Sequence, residues 1–251
     1  MKKLIKILVS IIIVIAILYI ILYISNKNKF TVLTYHDFID GKVSNSMQKN
    51  IDEFEREMKY LHNHNYKTLT LDDVRCIYDK KCELENKSVL ITMDDGWKSN
   101  LTLALPILKK YNLNAVIFYI GSNYDGHNDN FLNKEDLETI KKDYPNIEIA
   151  SHTYDNHYEK AYLKSKEELN KDFTDMKNVI DTEYFAYPYG YYNDNYIEVL
   201  KDNDYSLAFT FGPEKEHKKA NINDNRYEIP RLNVSTTYPF YKFVLRLILP
   251  F

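Results

Sequence analysis

The stretch "SVLITMDDGW" (residues 88–97) places an uncharged, mostly apolar run directly before two adjacent aspartates and a glycine. Such a run is typical of a strand that is buried on both faces. Because side chains along a strand alternate between faces, Asp94 and Asp95 can share one environment only if the backbone turns there. Gly96 is the residue expected to allow that turn. We therefore expect a buried strand that ends at a pair of carboxylates.

From residue 30 onward the chain alternates strand-like and helix-like segments. In the first helical segment, Ile51, Phe54, Met58 and Leu61 recur at the spacing of one helix face. The predicted strands are 30–36, 88–93, 114–121, 147–151, 184–190, 205–212 and 227–234. Buried strands alternating with amphipathic helices indicate a parallel sheet in an α/β fold. About seven such units favour an incomplete or distorted (β/α) barrel over an open doubly wound sheet.

The N-terminal region has a different composition. Residues 7–24 form an apolar stretch without charge, which is long enough for a membrane span and longer than the core of a signal peptide. We predict an uncleaved transmembrane signal anchor, with residues 1–6 in the cytoplasm, residues 25–29 as a linker and residues 30–251 outside. The slight excess of positive charge before the span favours this orientation. The predicted location is the cell membrane, with a single pass.

The charge balance excludes one class of partner. The chain has a formal net charge of -3, and no basic run with interleaved aromatic residues is present. We therefore expect no nucleic-acid binding. The 23 tyrosines have flat, amphipathic rings that suit stacking on sugars, but biased codon usage explains them equally well. Cys76 and Cys82 have no neighbouring cluster of histidines or aspartates and make a poor metal site, and a local disulfide in an oxidising exterior is the favoured interpretation over free thiols.

Polar residues cluster where the predicted strands end. In a parallel barrel the carboxyl ends of the strands meet at one rim, where active sites are built. The residues expected at this rim are His36, Asp94, Asp95, Ser151, His152, Pro188, Tyr189 and Gly190. Their convergence predicts a functional site.

Two histidines in this set suggest a metal. His152 and His157 are five positions apart, which on a helix would separate them by about 140°. In a loop that leaves a strand they can converge instead. Two imidazoles and one carboxylate form a common catalytic zinc site that leaves a position for water.

Several motifs together resemble a known family. "TMDDGW" (92–97), "SHTYDNH" (151–157) and "FAYPYG" (185–190) are similar, in this order and spacing, to the first three motifs of the polysaccharide deacetylases, the carbohydrate esterases with a NodB homology domain. "VLTYHDF" (32–38) resembles an N-terminal segment of the branch that deacetylates poly-β-1,6-N-acetylglucosamine. The resemblance covers roughly residues 30 to 235.

The resemblance implies a role for each matching residue. Asp94 matches the general base, and Asp95 matches a ligand of a divalent metal, usually zinc. His152 and His157 match the other two metal ligands. These residue types fit the hydrolysis of an amide, since a carboxylate can accept the proton of water as attack begins.

Two further segments of the resemblance concern the rest of the reaction. Tyr189, after Pro188, matches the position whose backbone N–H helps to hold the oxyanion. His36 matches the proposed general acid. The C-terminal Leu-x-His motif of the wider family is missing, and His217 is the only histidine after residue 157. This absence supports His36 as the acid, or else implies a weak enzyme.

The third motif departs from the wider family. That family has an arginine there which orients the base, whereas this chain has Ala186 and Tyr187. Arg231, in the last predicted strand, is our candidate for the same task.

The sequence thus predicts a membrane-anchored, cell-surface enzyme that removes acetyl groups from an N-acetylglucosamine polymer, most consistent with poly-β-1,6-N-acetylglucosamine. Peptidoglycan or chitin-type deacetylation is the alternative with the same chemistry. A non-catalytic polysaccharide-binding protein is an alternative of another class, against which the complete set of aspartates and histidines argues. A glycosidase needs two carboxylates roughly 5 to 9.5 Å apart, which adjacent aspartates with two histidines fit poorly.

Overall fold

The computed structural model describes residues 2–212, 218–234 and 239–250, so His217 lies outside the described residues. The helices are α1 (Lys2–Asn26), α2 (Ile51–Asn63), α3 (Leu71–Tyr78), α4 (Leu105–Tyr111), α5 (Lys134–Asp143), α6 (Lys166–Lys177), α7 (Asp194–Asp202) and α8 (Phe240–Ile248). The strands are β1 (Lys29–Tyr35), β2 (Asp37–Ile39), β3 (Gln48–Asn50), β4 (Lys67–Thr68), β5 (Ser88–Asp95), β6 (Ala115–Tyr119), β7 (Ile147–Ser151), β8 (Tyr184–Ala186), β9 (Leu207–Thr210), β10 (Ala220–Asn221), β11 (Ile229–Pro230) and β12 (Leu232–Asn233).

The central sheet is a nearly closed parallel barrel, as the sequence predicts. Strands β1, β5, β6, β7, β8 and β9 pair side by side in this order, all parallel. Short strand β11 pairs with β9, and β12 pairs with β1. The segment 229–233 therefore bridges the two ends of the sheet. Within the described part of the chain, it occupies the seventh position of the ring.

The last strand differs from the prediction in one respect. The sequence predicts one strand over residues 227–234, whereas the structure has two short strands separated by Arg231. The interruption has a geometric cause, because the first half of the segment pairs with β9 and the second half pairs with β1. Arg231, at the change of partner, is fully buried.

Side-chain alternation divides β5 between two environments. Ile91 and Met93 belong to the apolar layer beneath the helices, whereas Leu90 belongs to the cluster in the barrel interior. Thr92 and Asp94 follow Leu90 at spacings of two, so they share its face. The barrel is thus apolar near its base and polar at its rim.

The helices cover the barrel with the faces that their spacing predicts. In α2, Phe54, Met58 and Leu61 are buried. Helix α6 begins with a capping box, in which Ser165 and Glu168 bond each other's backbone N–H groups. Helix α8 packs on the domain through buried Phe243 and Leu247. Cys76 and Cys82 form a disulfide, as the sequence favours.

Helix α1 precedes the barrel. It has no buried residues, and it is long and apolar enough to cross a membrane. The helix includes the predicted span 7–24 and continues to Asn26. Only Lys27 and Asn28 then lie between it and β1, so the connection is shorter than the predicted linker.

Candidate active site

A cavity of about 560 Å³ opens at the carboxyl-terminal rim of the barrel. Seven of the residues singled out from the sequence line it: His36, Asp94, Asp95, His152, His157, Tyr189 and Arg231. Ser151, Pro188 and Gly190 are buried and are not among the lining residues. The rim therefore brings together the residues in which the sequence places the chemistry.

The turn at the end of β5 begins one residue earlier than expected. Asp95 itself has a left-handed backbone with φ 69°, and Gly96 follows at φ 76°. A Cβ atom on Gly96 would lie 2.5 Å from the Tyr119 ring, so glycine is required there by space and by conformation. The turn lets Asp94 face the barrel interior while Asp95 reaches the same cavity.

Asp94 is held by Arg231 in a bidentate ion pair. The two guanidinium nitrogens of Arg231 lie 2.6 and 2.7 Å from the two carboxylate oxygens, and both side chains are buried. Burial by itself raises the pKa of Asp94, but attraction by Arg231 and by the nearby histidines holds it below its usual range. Asp94 is therefore ionised and fixed in orientation at neutral pH.

The predicted metal ligands lie together beside this pair. One ligand atom from each of Asp95, His152 and His157 lies within 4.8 Å of the others. The Nε2 atom of His157 is 3.2 Å from Asp95 Oδ1 and 3.2 Å from His152 Nε2. Such a set of one carboxylate and two imidazoles fits a divalent cation.

Neighbouring groups orient two of these ligands. His152 Nδ1 lies 2.7 Å from the carbonyl oxygen of Ala186, to which it can only donate, so Nε2 is left for a metal. Burial lowers the pKa of His152 to about 4, and its ring is neutral at neutral pH. Trp97 Nε1 donates to Asp95 Oδ2 at 3.0 Å, which leaves Oδ1 facing the histidines.

The loop that carries His157 is held in place by hydrogen bonds to an aspartate that was not predicted from the sequence. Asp172, on α6, accepts hydrogen bonds from the backbone N–H groups of Tyr154, Asp155 and Asn156 at 2.9 to 3.0 Å. Thr153, just before them, has a left-handed backbone with φ 76°, a conformation that costs a β-branched residue free energy. The sequence does carry a signal for this role. Asp172 lies at a position of α6 that falls among its apolar residues, where a carboxylate needs a hydrogen-bond partner.

His36 follows β1 and points into the cavity beside Asp94. Its Nε2 atom is 3.8 Å from Asp94 Oδ2. Asn100 Nδ2 donates to the His36 carbonyl at 2.7 Å, which fixes the backbone at this point. Burial lowers the pKa of His36, although Asp94 and Asp95 oppose the shift.

The third motif forms a tight turn on the opposite side of the cavity. Tyr189 and Gly190 both have left-handed backbones, and a Cβ atom on Gly190 would lie 1.3 Å from the Phe211 carbonyl oxygen. Tyr189 exposes half of its side chain, with its ring centroid 5.3 Å from that of His157. Pro188 has no N–H, so it can shape this turn but cannot donate to a substrate.

Aromatic side chains that the sequence did not single out form much of the remaining wall. Trp97 and Phe131 pack with ring centroids 4.5 Å apart, and their backbones form an isolated antiparallel bridge. Both line the cavity together with Tyr191 and Phe211. Flat apolar rings around a polar centre suit the binding of sugar rings.

Comparison with solved structures agrees with this fold. The chain is similar to the Streptococcus pyogenes deacetylase PplD, solved in complex with acetate, with a TM-score of 0.78 and 20% sequence identity over 87% of this chain and 98% of that one. It is also similar to IcaB from Ammonifex degensii, with a TM-score of 0.73 and 22% identity over 88% of this chain and 97% of that one. At these identities the similarity shows a shared fold.

Sequence comparison gives the family. Residues 81–208 match the model of the family described as polysaccharide deacetylase. The poly-β-1,6-N-acetyl-D-glucosamine N-deacetylase of Staphylococcus epidermidis is 31% identical over 238 residues, which cover 83% of this chain and 80% of that protein. The chain belongs to the polysaccharide deacetylase family and is an enzyme of the hydrolase class.

Proposed function

We propose that this protein is a metal-dependent N-deacetylase of a cell-surface polysaccharide built from N-acetylglucosamine, and that poly-β-1,6-N-acetylglucosamine is its substrate. The observation that supports this most is the adjacency of an arginine-held carboxylate, Asp94, to the ligand set of Asp95, His152 and His157 in one open cavity. The name of the Staphylococcus epidermidis relative supports the choice of polymer.

Asp94 is the proposed general base. Its ionised carboxylate lies between Arg231 and the ligand set, with Oδ2 4.0 Å from His152 Nε2. As water attacks the acetamide carbonyl carbon, Asp94 accepts the proton that the water loses. Arg231 keeps the carboxylate ionised before the attack and fixes its direction, which is the orienting task assigned to it from the sequence.

Asp95, His152 and His157 are the proposed ligands of a zinc ion. When bound, a divalent cation at this position supplies Lewis acidity toward water and the amide carbonyl. We expect His152→Ala to lose the metal, because a neutral, preoriented imidazole is removed from a set of three ligands. Elemental analysis of the purified variant measures this directly, and a variant that retains zinc at wild-type stoichiometry would contradict the assignment.

His36 is the proposed general acid. The C–N bond of the tetrahedral intermediate breaks as the amine nitrogen gains a proton from His36, and acetate and a primary amine leave. The imidazole recovers a proton from Asp94, directly or through water, since the two side chains are 3.8 Å apart. The backbone N–H of Tyr189 is proposed to donate to the carbonyl oxygen as negative charge develops on it.

We also propose that α1 anchors the enzyme in the cell membrane with the barrel outside. Helix α1 has the length and composition of a span. The disulfide between Cys76 and Cys82 fits an oxidising exterior. A polymer outside the cell would then be accessible to the cavity.

Acetate release by the full chain in detergent tests the proposed function. Poly-β-1,6-N-acetylglucosamine, peptidoglycan and chitin oligomers are compared at equal acetyl content, with Asp94→Asn as the inactive control. We expect the greatest release from the β-1,6-linked polymer. Greater release from peptidoglycan or chitin would overturn the choice of polymer, and no release from any of the three by zinc-loaded protein would overturn the deacetylase itself.

A further inference from the structure

Helix α8 has apolar residues on two opposite faces. Phe243 and Leu247 face the domain and are buried. Tyr241, Leu245 and Ile248 lie on the outer face at spacings of four and three, and they are 61%, 45% and 43% exposed. An outward apolar stripe on a helix that is already packed is unusual for a surface that faces only water.

All the charged side chains of α8 and its flanking residues are basic. Residues 239–250 contain Lys242 and Arg246 and no acidic residue. An exposed apolar stripe flanked by basic side chains is the pattern of a helix that lies in the headgroup boundary of a membrane.

The end of α8 is fixed to the end of α1. Asn26, the last residue of α1, donates through Nδ2 to the carbonyl of Ile248 at 3.1 Å. Lys219 Nζ binds both Asn26 Oδ1 at 2.7 Å and the Leu247 carbonyl at 2.9 Å. Lys29 Nζ donates to the Pro250 carbonyl at 2.9 Å. These contacts place the outer stripe beside the point where a membrane-spanning α1 would leave the bilayer.

We propose that the outer face of α8 lies in the headgroup boundary of the same bilayer that α1 spans, with Tyr241, Leu245 and Ile248 among the lipids and Lys242 near the phosphates. The proposal rests on α1 as a membrane span and not on deacetylation. It also sets the orientation of the enzyme. Strand β1 runs from α1 toward His36, and seven residues in a strand span roughly 20 Å, so the active-site rim opens on the side away from the membrane.

Site-directed fluorescence in lipid vesicles tests this orientation. The two native cysteines are joined to each other, so a single introduced cysteine can carry an environment-sensitive label. Three full-length variants are compared: Leu245→Cys on the outer face of α8, Ile15→Cys within α1, and Leu163→Cys, which is exposed near the rim. Each is reconstituted in vesicles of phosphatidylcholine and phosphatidylglycerol that contain a lipid with a quencher either near the headgroup, for position 245, or deep in the acyl chains, for position 15.

We expect the lipid-borne quencher to reduce the emission of the label at position 245 roughly twofold, and to leave the label at position 163 unchanged. Quenching at position 15 without quenching at position 245 would keep the anchor and overturn the placement of α8. Shielding of position 245 from aqueous iodide in detergent, without quenching by lipid, would indicate a protein such as a second copy on this face and would equally overturn the proposal. The experiment measures label fluorescence and not acetate release. A wrong placement of α8 can therefore be distinguished from a wrong proposed function.

Discussion

Two buried carboxylates lie on opposite sides of β1, and only one of them faces a cavity. Asp94, in the barrel, is paired with Arg231 and lies near His36. Glu57, outside the barrel on α2, accepts from Lys49 at 2.6 Å and from the Tyr35 hydroxyl at 2.9 Å. Tyr35 and His36 are neighbours in sequence, so the alternation of one strand sends adjacent side chains to the two clusters.

The two clusters show that burial and paired charge do not by themselves mark an active site. Burial raises the pKa of Glu57 to about 7, whereas Arg231 and the histidines outweigh burial at Asp94 and its pKa is lowered. If a perturbed pKa were the only criterion, Glu57 would be the stronger candidate for an active-site residue. Asp94 differs because its carboxylate meets an open cavity and the three convergent side chains that are the proposed metal ligands.

The strongest test of this contrast is the replacement of each carboxylate by its amide. We expect Asp94→Asn to lower turnover about a thousandfold while zinc is retained, since none of the three ligands changes. Glu57→Gln should leave turnover per folded molecule within about twofold of the wild type. Acetate release and zinc content on the same preparations give both results. Near-normal turnover in Asp94→Asn would contradict the assignment of Asp94 as the general base.

The second test removes the cation from the outer cluster. At pH 8, above the pKa of Glu57, Lys49→Met leaves the ionised carboxylate buried without its ion partner, and we expect a loss of about 3 kcal/mol in the free energy of unfolding. In the double variant Lys49→Met/Glu57→Leu, most of that loss should be recovered, because no buried charge remains. Urea unfolding in detergent measures each value. A single variant as stable as the wild type would show that the pair contributes no net stability.

The third test uses the raised pKa of Glu57. Folding raises this pKa from an ordinary 4.5 to about 7, so the folded state binds the proton more tightly than the unfolded state. The stabilisation is therefore complete below pH 4.5 and is lost as the pH rises through 7. We expect the free energy of unfolding to fall by about 3 kcal/mol between pH 4.5 and pH 8, and Glu57→Gln to reduce that fall. If the variant shows the same pH dependence as the wild type, groups other than Glu57 cause the fall in the free energy of unfolding.

The fourth and smallest effect concerns the loop of His157. Asp172→Ala removes the acceptor of three backbone hydrogen bonds, and we expect zinc binding to weaken on the order of tenfold. Asp175→Ala is the matched control, since Asp175 lies one turn further along the same helix and pairs with Lys171. Zinc affinity is measured by competition with a chelator, alongside the melting temperature. Equal losses in both variants would mean that the effect is one of helix stability.

Much of the fold could be predicted because the strands that form the barrel carry strong local patterns. Short apolar runs end in polar residues, and parallel strands bring those ends to one rim, so the grouping of His36, Asp94 and His152 follows from topology. Arg231 could be named because it lies in the last predicted strand. Its contact with Asp94 could not, since a separation of 137 positions leaves no local pattern.

Other features depend on tertiary contacts alone. Asp95 has a left-handed backbone, which aspartate adopts more readily than most residues. Asp94 beside it has the same propensity, so no local pattern decides which of the two residues turns. Asp172 is an acceptor only because the loop after β7 folds over α6. The short strands β2 and β3, which pair with each other, were not predicted, because three-residue strands are too brief for a periodic pattern.

The closing segment of the barrel also decides when the site comes into existence. The guanidinium that fixes Asp94 comes from the residue that joins the two ends of the ring. During synthesis the carboxylate is made first and its arginine follows 137 residues later. A chain that has not yet been made as far as residue 231 has Asp94 without its partner. Fixing of this carboxylate is therefore coupled to closure of the barrel, and the proposed hydrolysis waits until residue 231 has been made.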